Sequence, residues 1–244
     1  MTHWLEMFVH WSAGFGLNYG FLLDAYQRGT LAQGALTTVQ LCLLTIVGSL
    51  LAGLGLATML SSDKPWLAVT ARAFVEVTRN TPTLVQLYCA FLVLNMLLTQ
   101  AVGAANPLTP FAWVVMVISL HKGAFHAEAL RAGIEAVPPV TLEAASSLAF
   151  SRRQLMWNVQ LPLALRFALP SLVNNLIDLV KMTAVASAIA VGDITYAAIM
   201  IWTQSDNVLE LMILILAFFG LLSFTVNFVG RYLEVRLRMP GYGH

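Results

Sequence analysis

The chain has 244 residues, of which 59% are hydrophobic and only 10% charged, with a formal net charge of +1. A soluble domain carries roughly 25% charged residues, so this chain cannot cover a soluble surface, and lipid is its natural solvent. The small net charge gives no ground for a nucleic-acid or acidic partner. Cys42 and Cys89 both lie in apolar runs, which supports neither a disulfide framework nor metal ligation.

The first 27 residues hold Glu6 and Asp24 but no Lys or Arg, unlike a signal peptide, which opens with a basic region. Trp4, Phe8, Trp11, Phe15, Tyr19 and Phe21 predict that residues 1–28 lie at the membrane interface, where amphipathic rings settle. A charge-free run from Gly29 to Ser62 predicts a first spanning helix over 31–60, ended by Asp63-Lys64-Pro65. Gly48, Ala52, Gly53 and Gly55 along it are close-packing positions. The run from Asn80 to Leu120 is too long for one helix. Gly103, Asn106, Pro107 and Pro110 break it, which predicts spans over 82–98 and 110–128. Further spans follow over 169–191, with Asp178 and Lys181 inside it, and over 208–229. The expected fold is an all-α integral membrane protein with five transmembrane helices in one domain, residues 29–239.

Charge placement predicts the orientation. Lys64, Arg72 and Arg79 follow the first span, four arginines lie between Arg131 and Arg166, and Arg231, Arg236 and Arg238 close the chain. The alternate loops, Thr99–Pro110 and Asp193–Asn207, hold no Lys or Arg. Basic loops stay in the cytosol, so the N-terminus is expected outside and the C-terminus inside. Five spans require the same result.

Residues 129–168 form a long cytosolic loop, and loops of that length usually have a job. Pro138-Pro139 stops the preceding helix, and Thr141–Leu148 is rich in helix formers. Ser151-Arg-Arg-Gln154 has the spacing of a capping box. A second short helix is expected from there to about Leu161, stopped by Pro162, and Pro170 is expected in the first turn of the fourth span.

Glu143-Ala144-Ala145, Leu148-Ala149 and Val159-Gln160-Leu161-Pro162 resemble the EAA loop of permease subunits of ABC importers, with Ala149 where that pattern carries glycine. Arg79-Asn80-Thr81-Pro82 with Leu84–Leu87, Ala127–Ile134 and Leu179–Thr183 resemble the histidine/glutamine-type amino-acid permeases. The resemblance covers residues 30–239. It implies a type I (MetI-like) transmembrane domain in a bacterial inner membrane. It also implies a second permease subunit, identical or homologous, an ATPase dimer, a periplasmic solute-binding protein and a polar amino acid as solute. Glu143, Ala144, Ala145, Ala149 and Phe150 are the implied contacts with the ATPase. The chain has no phosphate-cradling Gly-x-x-x-x-Gly-Lys-Ser/Thr loop, so another polypeptide is expected to hydrolyse ATP. No catalytic residue, cofactor or metal is expected here.

Ionisable groups inside a bilayer are costly and face a cavity or a partner. His121 and Lys122 lie deep in the third span, and Asn174, Asp178 and Lys181 lie in the fourth. Two readings stay open. These residues line a solute path, with a lysine meeting a carboxylate and Asp178 an amine, or they form ion pairs that seal the bundle. Asp178 and Lys181 are three apart on one helix face and suit such a pair, as do Glu128 and Arg131. The alternatives to an amino-acid importer are the same machinery carrying an opine or compatible solute, and an ion-driven secondary transporter. An enzyme is disfavoured, because no paired carboxylates, metal-spaced histidines or Ser-His constellation are present.

Overall fold

A computed structural model describes residues 2–103 and 108–237. All regular structure among them is helical: α1 (Thr2–Ala13), α2 (Ala25–Leu60), α3 (Pro65–Arg79), α4 (Thr83–Val102), α5 (Pro110–Glu135), α6 (Pro139–Ser147), α7 (Arg152–Ile189), α8 (Ile194–Trp202) and α9 (Val208–Leu237). Asn106, Pro107 and Arg238 lie outside the described residues.

Four of these helices, α2, α4, α7 and α9, are long and apolar enough to cross a membrane. The 26 residues of α5 also exceed the roughly 20 that a bilayer needs. Its apolarity is diluted by His121, Lys122 and His126, all of which are buried. Protein rather than lipid surrounds them, which is how polar groups are tolerated at such depth. In α2, Leu43, Val47, Leu51 and Leu54 are exposed at helical spacing, a stripe suited to acyl chains.

Several bounds differ from the expected ones. Helix α2 begins at Ala25, because Asp24 Oδ1 accepts the Tyr26 amide at 2.7 Å and starts the turn early. Helix α5 runs on to Glu135, and α4 to Val102. The stop expected at Pro162 does not occur. Residues Arg152 to Ile189 form one continuous helix, with a π-helical stretch at Met156–Gln160 just before the proline. The wider π turn makes room for a pyrrolidine ring and leaves no regular donor to lose. Pro170 accordingly sits inside a helix rather than in its first turn. Helices α3 and α8 are additions within segments read as loops.

The described residues divide into two compact units. The first comprises those up to Leu44 together with Leu87–Val115 and Val180–Ser223. Its core is Tyr19, Phe21, Leu31, Ala197, Ala198, Ile201 and Leu211. The Asn18 amide donates to Glu210 Oε1 at 2.6 Å, and Asn207 Nδ2 donates to the Asn18 carbonyl. These bonds fasten the segment after α1 to the entry of α9. Asp193 is fully buried and caps α8 by accepting the Tyr196 amide at 2.9 Å. Helix α2 passes so close that a Cβ on Gly34 would lie 2.8 Å from the Asp193 carbonyl oxygen. Thr38 Oγ1 accepts the Ile194 amide at 3.0 Å at the same crossing.

The second unit comprises Thr45–Gln86, Met116–Leu179 and the described residues from Phe224 on. Helices α2 and α5 cross there through small residues. A Cβ on Gly53 would come within 2.6 Å of the His126 Cβ, and one on Gly123 within 2.7 Å of the Ala52 Cβ. Gly55, expected to pack as well, meets nothing within 4 Å. Two residues along a helix is a rotation of about 200°, so Gly53 and Gly55 cannot share one neighbour.

Burial pushes the Asp193 carboxyl up from 3.8 to about 6, against the opposing pull of the Tyr196 amide. The raised folded value means that ionisation works against the fold. Stability from this group is greatest at low pH and declines as pH rises from 3.8 toward 6, by on the order of 3 kcal/mol. Asparagine is an equally good helix cap without the charge. Asp193→Asn is therefore expected to raise the melting temperature at pH 7.5 and to change nothing at pH 4, read by thermal unfolding of the purified protein in detergent.

Candidate functional site

The first candidate is the short helix α6 and its turn into α7. Pro139 opens α6 at its first position, where its missing N–H is no loss. Val137, Leu163 and Ala164 form a small core against which Ile134, Leu142, Val159 and Phe167 pack. This core seats α6. Ala145 is buried on the inner side of α6, while Glu143, Ala144, Ala149 and Phe150 are exposed. Four of the five expected ATPase contacts therefore face outward, and the fifth holds the helix in place.

The end of α6 is locally well defined. The Phe150 amide donates to the Ala145 carbonyl at 3.4 Å and the Ala149 amide to the Ser146 carbonyl at 3.0 Å, the bond pair that closes a helix through a left-handed residue. That residue is Ala149, with φ +59°. Alanine thus adopts the left-handed conformation that glycine takes more freely. The new helix starts at once: Ser151 Oγ accepts the Gln154 amide, and Gln154 Oε1 accepts the Ser151 amide at 2.9 Å. Both halves of the capping box are present. The product is an exposed apolar knob, Leu148 to Phe150, beside Glu143.

The second candidate is the polar cluster on α5. Lys122 Nζ donates to Asp178 Oδ2 at 2.8 Å, with 3% of the lysine side chain exposed against 56% of the aspartate. Nζ also lies 4.9 Å from the centre of the Phe125 ring. On its own helical face the sequence offers Lys122 a carboxylate only in Glu128, farther toward the end of α5. The partner comes from α7, 56 residues away, beyond the reach of spacing arguments. Lys181 is exposed within a turn of Asp178.

His121 is buried and clasped on both sides. Its Nδ1 faces Gln86 Oε1 at 3.1 Å and its Nε2 faces Thr83 Oγ1 at 2.9 Å. Gln86 Nε2 already donates to the Thr78 carbonyl at 2.9 Å and to Thr81 Oγ1 at 2.5 Å. The amide oxygen is therefore the acceptor, so Nδ1 carries the proton and the Thr83 hydroxyl donates to Nε2. The Asn80-Thr81-Pro82 break between α3 and α4 is thereby tied to α5, next to Lys122. Gln86 lies in the Leu84–Leu87 segment that carries the resemblance, but nothing in the sequence marks it or Thr83 as a partner of His121. An amide within an apolar helix needs a partner, and that signal was available.

Farther along α5, Glu128 binds Arg131 at 2.5 and 3.1 Å and lies 3.7 Å from Arg79, and Arg131 also pairs with Glu135. Asn174 lines a different cavity, with Asn227 and Arg231 of α9. Among the described residues, no group of three or more His, Cys, Asp and Glu is placed to hold a metal ion.

Residues 45–239, which include both candidates, match the family described as the inner membrane component of binding-protein-dependent transport systems. The chain belongs to this family. Among related permeases, a probable amino-acid ABC transporter permease of Sinorhizobium fredii is 31% identical over 84% of this chain and 86% of its own length. The glutamine transport system permease of Escherichia coli is 32% identical over 86% of this chain and 93% of its own. A crystal structure of an amino acid ABC transporter with histidines superposes with a TM-score of 0.78 at 30% identity, covering 88% of this chain and 98% of that one. The methionine transporter MetNI in an inward-facing conformation has the same fold, with a TM-score of 0.71 at 17% identity. The protein is thus a permease subunit of the ABC importer class, with the all-helical type I transmembrane fold.

Two outcomes follow for this permease. Ala149→Gly removes the left-handed penalty of alanine, about 1 kcal/mol, and is expected to raise the melting temperature without loss of transport. The Lys122–Asp178 pair is lopsided. Asp178→Asn strands a buried ammonium and is expected to cost about 3 kcal/mol, whereas Lys122→Met leaves an exposed carboxylate that water can solvate and costs under about 1 kcal/mol. Denaturation of the two variants side by side checks the asymmetry.

Proposed function

We propose that this permease carries a polar amino acid inward across a bacterial inner membrane, powered by ATP that separate subunits hydrolyse. Two permease subunits, identical or homologous, enclose the path, an ATPase dimer grips the α6–α7 turn, and a periplasmic binding protein delivers the solute. The observation that carries this reading is the exposed Leu148–Phe150 knob beside Glu143, rigidly capped on both sides. A solvated connector has no reason to hold apolar side chains outward, whereas a docking element for a partner does. The names of the relatives, an amino-acid and a glutamine permease among them, support the solute class.

The N-terminus lies in the periplasm and the C-terminus in the cytosol. All described Lys and Arg residues except Arg28 and Lys181 fall in the second unit, which supports putting that unit's helix ends on the cytosolic side. The α7 face that bears Asp178 and Lys181 is exposed in this chain. Charged groups do not face hydrocarbon, so this face borders the path or the second permease. Lys122 pairs with Asp178 from behind, and His121 holds the α3–α4 break in register.

The test is the intact complex in proteoliposomes. Vanadate is expected to abolish uptake, and Glu143→Arg to lower both uptake and solute-stimulated ATPase activity more than about tenfold, since a misplaced charge at an interface costs several kcal/mol. Normal uptake and ATPase activity in Glu143→Arg would refute the coupling role.

A further inference from the structure

Helices α7 and α9 meet at Gly230, whose lack of a side chain admits Val173. Beside this contact lies a cavity of about 300 Å³, at the lower end of the range for ligand pockets. Its polar lining is Asn174 from α7 and Asn227, Arg231 and Glu234 from α9. None of these four side chains makes a hydrogen bond or ion pair with another described residue. Arg231 and Glu234 are three apart on one helix, a spacing that normally lets opposite charges meet, yet each turns into the cavity unpaired. The pocket therefore presents one free cation, one free anion and two amides among the described residues.

Depth in the membrane decides what such a pocket meets. Arg231 is the first charge after an uncharged, mostly apolar stretch from Leu211 to Gly230, whose polar members are Ser223, Thr225 and Asn227 and whose 20 residues match the hydrocarbon core. Its guanidinium thus stands where phosphates begin. The surrounding surface is greasy: Phe224, Phe228 and Val229 of α9 are exposed below it, and Leu165 of α7 is exposed nearby in sequence. A soluble ion would leave this apolar rim uncovered, whereas a lipid fills the pocket with its headgroup and the rim with its chains.

We propose that the cavity holds the headgroup of a zwitterionic phospholipid with a primary amine, the phosphate on Arg231 and the ammonium on Glu234. The Asn174 and Asn227 amides donate to the remaining phosphate or ester oxygens. A guanidinium suits phosphate through its fork of donors. A primary ammonium can donate to the Glu234 carboxylate, which a quaternary choline cannot do and a glycerol headgroup does only without charge.

The intact complex, delipidated in detergent, is titrated with phosphatidylethanolamine, phosphatidylcholine and phosphatidylglycerol, and bound lipid is counted by native mass spectrometry. Phosphatidylethanolamine is expected to be retained about tenfold better than the other two, the weight of one charge-assisted hydrogen bond. Arg231→Gln is expected to lower its retention about tenfold, and Glu234→Gln to erase the preference over phosphatidylglycerol. Both variants should melt with the parent protein, since neither side chain loses a partner. Equal retention of the three lipids, or variants that bind like the parent, would overturn the assignment. Displacement of the lipid by free glutamine would overturn it in favour of a solute site.

Discussion

The rest of the molecule depends on a single rule of lipid solvation: a polar group carried into hydrocarbon must be answered from within the protein. Lys122 is the sharpest case, a lysine with 3% of its side chain exposed that reaches across to Asp178. The same rule shapes the neighbours. His121 spends both ring nitrogens on α4, and Gln86 spends its amide on the α3–α4 break. A helix of modest hydropathy is thereby stitched into place by directional bonds rather than by grease alone. Because each bond fixes an angle, the cluster defines how α5, α4 and the break before it are held.

The α6–α7 turn obeys a different economy, since it is exposed. Order there comes from backbone closure: a left-handed alanine, a serine cap and a glutamine reaching back. Such closure orients Leu148 and Phe150 outward without tertiary support. Below it, Ala145 is buried and Leu142 packs with Ile134 of α5 and Leu163 and Ala164 of α7. The knob thus sits on a helix packed against the base of the one that bears Asp178. The continuity of α7 from Arg152 to Ile189 makes that helix a lever rather than a chain of hinged pieces, which the expected break at Pro162 would have produced.

How much of this the sequence disclosed follows from the range of the forces involved. Long apolar runs, the Pro138-Pro139 stop and the Ser151–Gln154 cap are local, and each could be read directly. The Lys122–Asp178 contact, the Gln86–His121–Thr83 clasp and the Asn18–Glu210 fastening join residues far apart along the chain. Periodicity carries no information about such pairs. Proline misled at Pro162 because a local rule assumes regular α geometry, and the π turn before it suspended that assumption. Ala149 shows the converse, a residue with the wrong intrinsic preference held in the conformation that the turn demands.

The unequal lengths of the spanning helices carry a consequence for the host membrane. At 1.5 Å per residue, the 36 residues of α2 extend about 54 Å, far beyond a hydrocarbon slab of about 30 Å. The 20 residues of α4 extend about 30 Å and match that slab with nothing to spare. A thicker or thinner bilayer leaves α2 free to lean and bury a different portion of its length. The shorter helix has no such reserve, so hydrophobic mismatch falls on α4, the helix that holds Gln86 and Thr83. Acyl-chain length thereby bears on the histidine clasp itself.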